Sequence, residues 1–316
     1  MSLRHRAAAL TVLLLVGAAL ASLFAQCSFS RAAPDPSDWQ AAAEAAVAKA
    51  QPTDGIRVHP TWTETPLPFL TPVGNLLHRH HEPYLEDYAR IERVLILTET
   101  ARTGEALESL PFPAPPLSEM DHQRFGEILL IVAPIPEEWQ LHADATDHLS
   151  EATVTIIEPA GGEPHRCGPF SPADRTWRCD GRDADAMVRP ILLEMVDDPR
   201  RCVQAFPPTD RRVLSVELPF DVPNPILRVR AGLDQRSARI ETGDDVIYRI
   251  YVDDELLREE RHPAHESTWD ATDITPGTDR VTLRVEVESV SPRPVQRRFC
   301  FNAWSLTEDQ AQRSNR

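Results

Sequence analysis

Residues 243–260 read GDDVIYRIYVDDELLREE. A strand-like run, DVIYRIYV, meets two acidic residues and continues as a shorter apolar run, ELLREE. Asp253 and Asp254 fall where the chain must turn back, because acidic side chains bond nearby backbone amides and tolerate turn conformations better than β-branched ones. The spacing predicts a hairpin. On either side the same period of two recurs. RVLSVELPF alternates Leu214, Val216 and Leu218 with Ser215 and Glu217, and RVTLRVEVE alternates Val281, Leu283, Val285 and Val287 with polar residues. Both read as half-buried strands. Together with PILRVRAGL, ESTWDAT and PVQRRFCFNAW they make about seven strands punctuated by proline, glycine or aspartate, the pattern of an antiparallel β-sandwich.

The succession LRVRAGLDQ, GDDVIYRIYVDDELLREE, RVTLRVEVES and FCFNAWSLTE, within residues 202–307, resembles the NPCBM-type carbohydrate-binding module. That resemblance implies a galactose-binding-like jelly roll and a glycan ligand. Asp254 stands where the family's hairpin has glycine, and FNAWSL keeps Ala303 and Trp304 without the family's Asp before the tryptophan.

Sugar recognition needs an aromatic face for the apolar side of a pyranose ring and oriented polar groups for its hydroxyls. Trp269, beside Asp270 and Asp273 in STWDATD, is either such a platform or a tryptophan capping the core. Tyr251 and Arg249 share one face of their strand and join the candidate set. Trp304, inside the closing strand, reads first as packing and second as a contact. Asp244, Asp245 and Asp273 are either a structural Ca²⁺ site or solvated acidic turns.

The 316 residues suggest about two domains at roughly 100–200 residues each. The fold class read from them is mainly β. Residues 201–307 form the jelly-roll sandwich, 83–200 a helix with a small β domain, 28–82 a helix plus proline-rich linker, and 308–316 a tail. There are 29 prolines against 12 glycines, which argues against long helical bundles. A formal charge of −16 repels phosphate backbones, so no nucleic-acid partner is expected.

At the N-terminus, Arg4 and Arg6 precede an uncharged apolar run from Ala7 to Ala25, the pattern of a signal peptide or transmembrane anchor over residues 1–27. Leu23 and Ala25 suit a signal-peptidase site, and Cys27 loosely matches a lipoprotein box. Each option puts the bulk of the chain outside the membrane. Cys167, Cys179, Cys202 and Cys300 form an even set that an oxidising compartment would pair, local with local; free buried thiols are the alternative.

Ser37 and Gln40 stand at capping-box spacing before an alanine-rich run that stops at Pro52, which predicts a short, weakly packed helix. Residues 52–83 read as an extended linker. Pro83 with Tyr84, Tyr88, Ile91 and Leu95 predicts a helix over 83–101, although RVLILTE also fits a strand. GEILLIVAP, ATVTIIEP, TWRCD and MVRPILLEMV read as strands. His78, His80, His81 and Glu82 are metal-ligand types in a linker, at spacing that does not suit one helical face.

Neither G-x-S-x-G, H-E-x-x-H nor a glycine-rich phosphate loop occurs. The reading is a non-catalytic, membrane-tethered envelope protein that binds glycan. The alternatives are a protein-docking ectodomain and a glycoside hydrolase acting through the middle region.

Overall fold

The computed structural model describes residues 16–19, 22, 34–70, 76–77, 83–159, 163–179, 186–290 and 297–314. Residues 1–27, read above as a signal peptide or anchor, lie outside them apart from a few positions, as does the group His78, His80, His81 and Glu82. Among the described residues, no helix is long and apolar enough to cross a membrane.

The first layer is α1 (Pro36–Lys49), capped by Asp35, whose side chain accepts the Ser37 N–H. It packs firmly rather than weakly. Trp39, Ala42, Ala43 and Ala46 are buried against one face of a four-stranded sheet, because a stripe of alanines lets the helix backbone approach the strands closely. That sheet contains β1 (Asp54–His59), β2 (Arg93–Glu99), β3 (Asp121–Phe125) and β4 (Ile128–Pro134) in the order β1-β2-β4-β3. β1 and β2 are parallel and the other pairs antiparallel.

Two expectations fail here. The helix over 83–101 is replaced by a single 3-10 turn, Leu85–Tyr88, followed by β2. The linker contains β1, every residue of which is buried. Leu95 and Leu97 face α1 while Val94 and Ile96 face the opposite cluster. A strand covered on both faces carries a continuous apolar run, which periodicity alone does not separate from a helix.

The remaining strands build one sandwich. They are β5 (Thr153–Ile157), β6 (His165–Arg166), β7 (Trp177–Arg178), β8 (Met187–Met195), β9 (Asp198–Ala205), β10 (Val213–Asp221), β11 (Ile226–Leu233), β12 (Val246–Val252), β13 (Glu255–His262), β14 (Asp270–Ile274), β15 (Arg280–Ser289) and β16 (Phe299–Leu306). One sheet runs β13-β12-β15-β10-β5-β6 and the other β14-β11-β16-β9-β8-β7. The seven expected C-terminal strands all form. The strands expected at 153–195 are not a separate small β layer: β5 pairs with β10, and β8 reaches β16 through β9.

Leu214, Val216, Leu218, Leu283, Val285 and Tyr248 from the first sheet meet Leu227, Val229, Phe299 and Phe301 from the second. Each such fully buried aliphatic or aromatic side chain contributes roughly 1.5–3 kcal/mol. The hairpin at 253–254 is a two-residue turn with φ of 49° and 67°, the left-handed geometry that matches strand twist. Cys167–Cys179 and Cys202–Cys300 are disulfide-bonded, as the local pairing expects.

The outer face of the second sheet is also covered. Leu193, Met195, Trp304 and Leu306 pack with Val94, Ile96, Leu129 and Ile131 from the four-stranded sheet. The molecule is therefore layered as helix, small sheet, and two sandwich sheets.

Candidate functional site

β9 and β16 pair from Phe299↔Ala205 to Phe301↔Val203 and then part. β16 stays in register with β11 up to Leu306, whereas β9 follows β8 away from it. Ala145 fills the freed ladder, donating its N–H to Ala303 O at 3.1 Å and to Asn302 Oδ1 at 3.0 Å. Asn302 Nδ2 donates to Arg201 O at 3.1 Å. The Cys202–Cys300 disulfide ties the strands where they separate. Between the parted strands and residues 84–91 lies a cavity of about 830 Å³, within the range of small-molecule sites.

Trp269 and Trp304 both line it and are only 7% and 3% exposed. Gly232 on β11 sets the position of Trp269: a Cβ there would stand 1.9 Å from Thr268 O, so only glycine lets this loop lie on the strand. Trp304 Nε1 is buried without a hydrogen-bond partner among the described residues. Tyr84 stands between two cations, 4.0 Å from Arg230 and 4.6 Å from Arg200. A smaller adjoining cavity of about 340 Å³ is lined by Tyr84, Trp269, Arg200 and Asp270.

Beneath this floor is a network of buried charge. Glu86 Oε1 accepts from Arg228 Nη1 and from Arg230 Nε, each at 3.1 Å. Arg228 also makes a two-point pair with Asp273, at 2.6 Å and 2.7 Å. Burial works against the Arg228 cation, but the Asp273 bonds and the Glu86 charge outweigh it and hold its pKa above the usual arginine value. Arg200 is treated alike: burial opposes its charge, and Asp87 and Asp198 more than restore it.

Arg201 goes the other way. Burial lowers its pKa, with Asp144 only partly offsetting this and Arg90 adding to it.

The structure brings Trp269 and Trp304 together and places Asp270 beside them. Tyr251 and Arg249 are elsewhere, on β12 of the first sandwich sheet. Tyr251 donates to Glu286 at 3.1 Å and lies under Arg284, 3.9 Å from its ring; Arg249 bonds Glu259 at 2.6 Å. They form a charged surface ladder rather than part of the cavity.

The Asp244, Asp245 and Asp273 set does not gather either. Asp273 pairs with Arg228 and Asp245 with Arg261. Among the described residues, no group of three or more His, Cys, Asp or Glu is placed to hold a metal ion.

Sequence reading missed Tyr84, Glu86, Asp144, Arg200 and Arg201. The available signal was in LRVR, where two arginines occupy alternate positions of an otherwise apolar strand.

No family model matches the sequence, and no curated protein matches it. Among solved structures it is similar to a family 51 carbohydrate-binding module from Clostridium perfringens in complex with methyl-galactose. The two are 14% identical with a TM-score of 0.26, over 40% of this chain and 83% of that one. A second family 51 module from C. perfringens, in complex with GlcNAc, is 12% identical with a TM-score of 0.29, over 60% of this chain and 41% of that one. A family 32 module from C. perfringens in complex with galactose is 13% identical with a TM-score of 0.23, over 52% of this chain and 100% of that one. With TM-scores below 0.5 the overlap is partial, and function has to be read from the cavity itself.

Proposed function

We propose that the protein is a non-catalytic glycan-binding protein on the exported side of a membrane, with the cavity of Trp269 and Trp304 as its sugar site. The observation that carries the reading is that two tryptophans, Trp269 and Trp304, line one cavity of small-molecule size. An indole face stacks on the apolar side of a pyranose. Glu86, Asp87 and Asp144 are each held by arginine, which disfavours a general-acid role in glycoside hydrolysis.

Disulfides of this kind form in oxidising compartments, which supports export; residues 1–27 would supply the leader or tether. Glycan arrays probed with the full chain test the reading. Binding should weaken at least about fivefold in Trp304→Phe, which replaces the two-ring indole face by a single ring. Leu192→Glu, at an exposed position on the cavity wall, should also weaken it. An array with no bound glycan ends the proposal.

A second reading, protein docking, is favoured by one observation. Leu192 and Val196, 62% and 39% exposed, lie on the same β8–β9 hairpin. Loss of a captured envelope protein on Leu192→Asp, without glycan binding in the parent, would favour it.

A further inference from the structure

Three guanidinium groups, Arg90, Arg175 and Arg201, meet at one edge of the cavity, and two of them direct their hydrogen bonds at a neutral residue. Asp144 is 1% exposed. Its Oδ1 accepts from Thr146 N at 2.8 Å, from Thr146 Oγ1 at 2.5 Å and from Arg90 Nη2 at 3.4 Å. Arg90 also pairs with Asp147. Arg201 directs both Nε and Nη2 at the neutral hydroxyl of Thr146, at 3.1 Å and 2.9 Å, and reaches Asp144 Oδ2 only at 3.6 Å. Arg175 spends Nη2 on the Thr146 carbonyl at 2.7 Å. Asp174, the next carboxylate along the wall, is bonded to Arg178 at 2.6 Å.

Arg90, Arg175 and Arg201 thus share one corner of the cavity wall, and the hydrogen bonds of Arg175 and Arg201 go to Thr146, a neutral residue, rather than to a carboxylate. The partly buried Arg201 spends its N–H groups on a neutral hydroxyl and has Asp144 Oδ2 only at 3.6 Å, so its charge is only partly offset, consistent with its lowered pKa. A guanidinium presents parallel N–H groups in a planar fork that matches a carboxylate, and such charge-assisted pairs are the strong ones. Asn302 links this corner to the tryptophans, since its side chain donates to Arg201 O and lines the same cavity.

We infer that the cavity takes an acidic sugar, a uronic acid unit whose ring lies on the tryptophans and whose carboxylate meets Arg201 and Arg175. The inference rests on the sugar reading of the cavity and adds the class of ligand.

Calorimetric titration of the full chain tests it, using glucose and galactose oligosaccharides and their uronate counterparts, which differ only at C6. The uronate should bind at least about tenfold tighter than its neutral counterpart at low salt, and the advantage should shrink as salt is added. Arg201→Met and Arg175→Met should each bring the ratio toward one. Arg201 is 41% exposed in its side chain and Arg175 is exposed, so neither change empties the core. Equal binding of neutral and acidic sugars overturns the inference and leaves the sugar reading standing. A ratio unmoved in both variants, or tighter binding of a sulfated oligosaccharide than of the uronate, also overturns it. Binding of neither sugar overturns the sugar reading itself.

Discussion

Glu86 and Arg228 are 142 positions apart in the chain and meet at 3.1 Å, the carboxylate 3% exposed and the guanidinium fully buried. Arg230 bonds the same oxygen, so Glu86 and Asp273 together balance two cations on the outer face of β11. Removing one partner of a buried pair leaves an uncompensated charge, which costs about 3–5 kcal/mol. Glu86→Gln should therefore lower the urea midpoint steeply. An effect below about 1 kcal/mol would mean that water reaches these arginines.

Val196 adopts φ of 51° in the two-residue turn between β8 and β9. A β-branched residue is poorly suited to this region, which costs L-residues roughly 1–2 kcal/mol. The side chain is 39% exposed, so little packing is lost on replacing it. Val196→Asn is expected to stabilise the protein by about 1 kcal/mol in chemical denaturation; destabilisation would show that the valine packs usefully.

The disulfides should contribute unequally. Cys202–Cys300 spans 98 residues and Cys167–Cys179 spans 12. Loop entropy assigns about 4–5 kcal/mol to the first and about 3 kcal/mol to the second. Paired Cys→Ala variants compared by denaturation should follow that order, the longer loop losing more.

His59 gives a pH test. Burial, with Arg57 and Arg102 nearby, holds its pKa below the ordinary imidazole value near 6.5, and Glu105 only partly opposes this. Both ring nitrogens are buried without a hydrogen-bond partner among the described residues. The unfolded chain therefore takes up the proton first as pH falls. The stability linked to His59 is complete above about pH 6.5 and is lost as pH drops from the unfolded pKa through the lower folded one. Between about pH 7.5 and 5.5, His59→Gln should lose less stability than the parent. Parallel curves would show that His59 does not set this dependence.

By itself the sequence determined the seven C-terminal strands, the turn at Asp253 and Asp254, the first helix and the cysteine pairing. The strands, turn and helix are short-range consequences of alternation and turn chemistry, while Cys202–Cys300, 98 residues apart, is the pair left once Cys167 and Cys179 close their local loop. It also singled out Trp269 and Trp304, because tryptophan in such strands is either core or contact. Tertiary structure decided what covers the outer face of the second sandwich sheet. Period two says that one face of a strand is buried but not what lies on the other, so the partners of Arg228 and Arg230 are seen only when residues 84–87 lie against them. The same limit hid β2, whose unbroken apolar run fits a helix or a strand until a layer is found on each side. The cavity was not legible at all, since it exists only where β9 leaves β16. Such a parting is a relation between distant segments and leaves no mark in the local pattern of either.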